Sequence, residues 1–213
     1  MTYTNSITKR SVFDEPSHTY KVDGIALPSV TEIVAPLTYT KYRVDNAVID
    51  QAAYRGRMVH ELTALYDRGD LEDSTISLDV GMYVMAWIKF CHDYTPQWEY
   101  IELGMACSEF AGTVDRIGII DDTRVIVDIK TSNIDRAAKI ALCAQICGYD
   151  KLAFENHICC ASVASFGVQL KKDGNYSIIK LADVEEKYGF NSHVLFDELL
   201  NLNKLVKGEK KVK

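Results

Sequence analysis

Between Gly112 and Lys130 two runs rich in β-branched residues, Gly112-Thr113-Val114-Asp115-Arg116-Ile117-Gly118 and Val125-Ile126-Val127-Asp128-Ile129-Lys130, flank a short polar stretch at Asp121-Asp122. That pattern predicts a β-hairpin. With Asp121 and Asp122 as the turn, Ile120 pairs with Thr123, and counting back along both strands sets Asp115 opposite Asp128. Opposed residues share a face with Cβ atoms about 5 Å apart, and Lys130 emerges on that face two residues further on. Neighbouring carboxylates repel and call for a compensating cation, which a divalent metal held by carboxylates, water and phosphate oxygens would supply. A solvated, exposed sheet face would carry the same charges, and a three-residue turn would move the two Asp to opposite faces. The hairpin alone leaves these alternatives open.

The 213 residues are 47% apolar and 25% charged, which is ordinary for one well-buried domain spanning 1–213. No apolar run reaches the roughly 18 residues of a membrane span. The N-terminal Met1-Thr2-Tyr3-Thr4-Asn5-Ser6 lacks the charged and apolar regions of a signal peptide. Together these predict a soluble cytoplasmic protein, in the host cytoplasm if the chain is viral, with no membrane partner. The cysteines Cys91, Cys107, Cys143, Cys147, Cys159 and Cys160 form no C-x-x-C and read as buried free thiols. A net charge of −6 means that any nucleic-acid contact must be local. No G-K-[ST] phosphate loop is present, which argues against an ATPase.

Along the chain, residues 17–27 predict a hairpin around Asp23-Gly24, closed by Pro28. Ser29-Val30-Thr31-Glu32 fits a capping box opening a short helix that stops before Pro36. Helical spacing runs from about residue 44 to Arg68 and again from Leu78 to Tyr94, where core packing accounts for Trp87. Residues 100–106 read as a strand before the central hairpin. Thr131-Ser132-Asn133 offers N-caps for a helix over about 134–154. Strands are predicted at 159–170 and 176–180, then helix from Asp183 to about Lys207 with a break at Gly189, and a basic tail over 207–213.

Two helical spacings are of interest. Gly56 and His60 lie one turn apart on one face, while Glu61 points about 100° away. Gln145 and Tyr149, at i and i+4, also share a face. A lone helical His is usually structural, and a Gln/Tyr pair is ordinary on a helix flank, so spacing alone assigns neither.

Taken in order, Leu27-Pro28-Ser29-Val30-Thr31, Gly56-x-x-x-His60, Gly112-Thr113-Val114-Asp115, Asp128-Ile129-Lys130 and Gln145-x-x-x-Tyr149 form one pattern. The sequence resembles the RecB-like branch of the PD-(D/E)XK nuclease superfamily, and in it the phage-type and mitochondrial genome-maintenance exonucleases, over about residues 13–150. The resemblance implies an α/β (α+β) fold: a restriction-endonuclease-like core over about 13–205, a central mixed sheet flanked by helices, and an N-terminal β-hairpin. It implies that His60, Asp115, Asp128 and the Ile129 carbonyl ligate Mg²⁺ or Mn²⁺, that Lys130 is catalytic, and that Gln145 and Tyr149 support the site and contact DNA. Val114 stands where the superfamily name has proline, and Asp128 where Glu is frequent. The cysteines do not follow the pattern of iron–sulfur members, so no cluster is expected.

The function implied is metal-dependent hydrolysis of DNA phosphodiesters, most readily by an exonuclease on linear DNA, in phage-type recombination, replication or degradation with a protein partner from such a pathway. Arg55, Arg57, Arg116, Arg136 and Lys139 are the basic residues near the motifs and the candidates for backbone contacts. Alternatives are a structure-specific endonuclease or RNA-directed nuclease with the same core, and a DNA-binding or assembly module of that fold without its chemistry.

Overall fold

The computed structural model describes residues 11–14, 19–38, 46–72, 76–158 and 164–208. The predicted positions 1–10, 15–18, 44–45 and 159–163, with Cys159 and Cys160, and the end of the basic tail at 209–213 lie outside them.

The chain opens with β1 (Ser11–Asp14), β2 (Thr19–Val22) and β3 (Ile25–Leu27), which pair antiparallel in that order. The predicted hairpin therefore gains a third strand. Its turn is Asp23-Gly24, both residues left-handed with φ of 51° and 83°, as a type I′ turn requires. Helix α1 (Val30–Val34) follows, and the Ser29 hydroxyl accepts the Glu32 N–H at 3.0 Å. The Glu32 carboxylate pairs with Lys207 at 2.8 Å.

Helices α2 (Asn46–Arg68) and α3 (Leu78–Tyr94) precede the main sheet. That sheet has five strands in sequence order: β4 (Gln97–Ala106), β5 (Ala111–Ile120), β6 (Thr123–Lys130), β7 (Ala164–Leu170) and β8 (Tyr176–Lys180). All neighbours are antiparallel except β6 and β7, which run parallel because α4 (Arg136–Glu155) carries the chain over between them. Asp135, rather than 131–133, caps α4 by accepting the Ala138 N–H at 2.9 Å. Helices α5 (Leu181–Tyr188) and α6 (Ser192–Lys207) follow, separated by the left-handed Gly189. The protein is thus α+β, with a mixed five-stranded sheet flanked by helices and a small N-terminal antiparallel sheet.

Two apolar layers cover the sheet. On one face α1, α4 and α6 bury Val30, Ile33, Ile146, Leu152 and Phe196 against Val114, Ile117 and Ile126. On the other, α2 and α3 bury Val59, Leu62, Trp87 and Phe90 against Val125, Val127, Ile129 and Val168. Cys143 and Cys147 are buried free thiols in the first layer, and Cys91 and Cys107 are half-buried.

The central hairpin turns at Asp121-Asp122, whose φ angles of 48° and 59° give the two left-handed residues of an I′ turn. Ile120 pairs with Thr123 and Arg116 with Val127. Across the other edge of β5, a Cβ at Gly118 would stand 2.3 Å from the Gln97 carbonyl oxygen and 2.9 Å from the Trp98 Cα. Both obstacles are backbone, so Gly118→Ala is expected to destabilise the fold by about 1–3 kcal/mol, the usual cost of overpacking. Urea unfolding followed by circular dichroism measures it, and an unchanged midpoint would show that β4 shifts without cost.

Candidate metal centre

The regular register of β5 and β6 ends at Arg116↔Val127, and one further step places Asp115 across from Asp128. On the other side of β5, Ile101↔Arg116 and Leu103↔Val114 bracket Glu102, across from the same Asp115. Carboxylates from three neighbouring strands thus line one row. Alternation breaks here. Val114 packs under α1 and α4, whereas Arg116, two residues on, faces α2 and α3, so β5 turns over at Asp115. Glu102 takes a left-handed φ of 52° within β4 beside it, a conformation that costs a non-glycine residue energy and is concentrated at functional sites.

Helix α2 brings His60 to this row. Its Nδ1 lies 3.3 Å from Asp115 Oδ1 and 3.6 Å from Glu102 Oε1. His60, Glu102 and Asp115 together form a cluster able to hold a metal ion. One turn earlier on the same face, a Cβ on Gly56 would meet only Thr131 Oγ1, at 4.0 Å. The glycine leaves the gap between α2 and the end of β6 open.

Asp128 stands beside this cluster, 1% exposed, with Lys130 Nζ 2.9 Å from its Oδ2. Apart from that ion pair, Oδ2 has no hydrogen-bond partner among the described residues. Asp115, 6% exposed, accepts the Ile129 N–H through Oδ2 at 2.6 Å. The Ile129 side chain is buried under α2 and α3 and carries no donor atom, so a ligand role for Ile129 could come only from its backbone carbonyl. With both Asp buried, the alternative of a solvated sheet face is removed. Gln145 Oε1 accepts from Lys130 Nζ at 3.0 Å, and Gln145 Nε2 donates to the Tyr149 hydroxyl at 2.8 Å.

Charge follows from this packing. Burial works against an imidazolium at His60, but the Asp115 and Glu102 carboxylates outweigh it and push its pKa up to about 10. Burial also opposes ionisation of Asp115, yet His60, Lys130 and the Ile129 N–H hold its carboxyl below the usual range. Asp128 is pushed up to about 6 by burial, with Lys130 opposing and Asp115 reinforcing. Burial opposes the Lys130 ammonium and the two Asp outweigh it, raising its pKa. Two carboxylates and one imidazole, with the Asp128 carboxylate beside them, make a donor set suited to a hard or borderline divalent cation such as Mg²⁺ or Mn²⁺.

No known protein family matches the sequence, and no curated protein does.

The geometry of the site moves several predicted residues. Arg116 is a correction: it is fully buried and donates to Asp67, Glu102, Thr63 and its neighbour's carbonyl, so it has no face to offer DNA. Gln145 and Tyr149, 8% and 3% exposed, turn inward and hold Lys130. Arg55 is half-buried over the Tyr83 ring, Arg57 is exposed on α2, Arg136 lies over Tyr188, and Lys139 is half-buried on α4. Glu102 is the site residue that sequence reasoning missed.

Proposed function

We propose that the protein is a Mg²⁺- or Mn²⁺-dependent deoxyribonuclease of the RecB-like PD-(D/E)XK kind, acting as an exonuclease on linear DNA. The observation that carries this reading is the cluster of His60, Glu102 and Asp115, with the Asp128–Lys130 ion pair on the neighbouring strand beside it. The order of elements around the five-stranded sheet and the N-terminal hairpin are in keeping with that fold.

Hydrolysis of a phosphodiester requires charge on the phosphorus-bound oxygens to be neutralised and water to be made nucleophilic, and a bound divalent cation supplies both. His60, Glu102 and Asp115, with Asp128 and the Ile129 carbonyl alongside, would hold it. The chain's own contribution is to place Lys130. Asp128 and Gln145 fix its ammonium from two sides, and the Tyr149 hydroxyl fixes Gln145. Lys130 remains charged, so it orients the attacking water and offsets developing negative charge rather than taking a proton. Arg57, exposed on α2, is a predicted basic residue that could meet a phosphate strand beside this site.

The test uses end-labelled linear DNA, single- and double-stranded, and closed circles, with Mg²⁺, Mn²⁺ or EDTA. Wild type should degrade linear DNA only with metal and leave circles intact. Lys130→Ala should lower the rate about 10²–10³-fold, the usual loss of one electrostatic stabiliser. Cut circles would make the protein an endonuclease. No metal-dependent cleavage of any substrate would overturn the reading in favour of a binding module.

A further inference from the structure

The residues that can hold a cation come from three elements: His60 from α2, Glu102 from β4 and Asp115 from β5. Nothing in the local structure of any one element sets it against the other two. A single side chain touches all three. Arg116 Nη1 donates to Glu102 Oε1 at 2.9 Å and to the Asp115 carbonyl at 2.7 Å. Its Nη2 donates at 3.1 Å to Thr63 Oγ1, and that hydroxyl in turn donates to the His60 carbonyl at 3.0 Å. Its Nε donates at 2.6 Å to Asp67 Oδ2, one helical turn beyond Thr63 on α2.

We infer that Arg116 is the positioning residue of this metal centre, one buried guanidinium that sets the His60, Glu102 and Asp115 ligands at their mutual distances. The inference rests on the metal-site reading above and adds to it a group that touches neither ion nor substrate.

The chemistry favours arginine at this position. Its planar fork offers donors in several fixed directions, whereas a lysine ammonium is a point charge on a flexible stem. The fork is itself held. Asp67 accepts from the Trp87 indole N–H at 3.0 Å and from the Cys91 thiol at 3.6 Å, and the guanidinium carbon lies 5.4 Å from the centre of the Trp87 ring. Both members of the Arg116–Asp67 pair are out of water, at 0% and 2% side-chain exposure. Such a pair contributes little net stability over an apolar replacement, and fixing geometry is a better-attested use of buried polar groups. Partners behind metal ligands orient them, and their loss weakens metal binding about 10–100-fold.

The experiment is Mn²⁺ titration by calorimetry, with Mn²⁺ electron paramagnetic resonance as a second readout, on the full chain well below its unfolding temperature. Arg116→Lys keeps the charge and should weaken Mn²⁺ binding about 10–100-fold. Asp67→Asn is isosteric and keeps an acceptor for Trp87, so it provides a folded variant where Arg116→Lys does not fold, and should weaken binding about tenfold. Phe196→Leu, in the opposite apolar layer, should lower thermal stability and leave Mn²⁺ affinity at the wild-type value, which separates lost positioning from lost stability. Wild-type affinity in a folded Arg116→Lys, or in Asp67→Asn, would overturn the positioning role while leaving the metal site intact. Absence of Mn²⁺ binding by the wild type would overturn the metal site itself, and the positioning role with it.

Discussion

If the protein is the nuclease proposed above, Asp115→Asn is expected to reduce its metal-dependent DNA cleavage by about 10³-fold or more. Its Oδ1 faces His60, its Oδ2 takes the Ile129 N–H, and Glu102 and Asp128 flank it on the two neighbouring strands. Asparagine has the same shape but offers one acceptor end and one donor end. Whichever way the amide lies, either the Ile129 N–H meets another donor or the NH₂ turns toward His60. The substitution also removes the charge that sits between His60 and Lys130, so both cations lose a counter-ion and the ion-binding cluster loses its central ligand. Removing a ligand costs several kcal/mol of transition-state charge stabilisation, and each 1.36 kcal/mol is about tenfold in rate. Single-turnover cleavage, with circular dichroism to check the fold, measures it. An Asp115→Asn variant retaining a tenth of wild-type activity would mean that the carboxylate is structural and that the chemistry lies elsewhere.

The Asp115/Asp128 pair was legible in the sequence because strand periodicity is two and an Asp-Asp turn fixes the starting pair. Ile120↔Thr123 then leads to Asp115 and Asp128 by counting alone. The same count applied to the preceding turn would have found Glu102, since Ala106 pairs with Ala111 and stepping back reaches Glu102 and Asp115. It was hidden because a lone Glu in a strand reads as a solvated residue, and the left-handed φ that turns it inward has no sequence mark. Arg116 failed for another reason. Next to an Asp in a nuclease-like motif, a basic residue reads as a phosphate contact, and its real partner, Asp67, lies 49 positions away on a helix whose packing angle no local pattern gives. Gln145 and Tyr149 were placed on a common face by their spacing, but the side of α4 that faces Lys130 is set by the crossover from β6 to β7. Local pairing was readable; contacts between layers were not.

The arginine network predicts the second large effect, on stability. Trp87 is fully buried in the layer of α2 and α3, stacked on Phe90 at 5.1 Å and on Trp98 at 5.9 Å between ring centres. Its indole N–H reaches both oxygens of Asp67, at 3.0 and 3.1 Å, and its ring lies beneath the Arg116 guanidinium. Trp87→Ala therefore opens a cavity and also leaves a buried carboxylate with one donor fewer. Truncation of a buried Trp costs about 3–5 kcal/mol, and a chain of this length loses about 2–4 °C of melting temperature per kcal/mol. A fall of about 10 °C is expected by calorimetry. Trp87→Phe keeps most of the apolar contact and removes only the N–H, so its loss should be no more than about half as large. Equal losses for the two variants would place the stabilisation in the Asp67 hydrogen bond rather than in packing. In that case the Arg116–Asp67 pair, rather than the apolar layer around it, would hold α2 against the sheet.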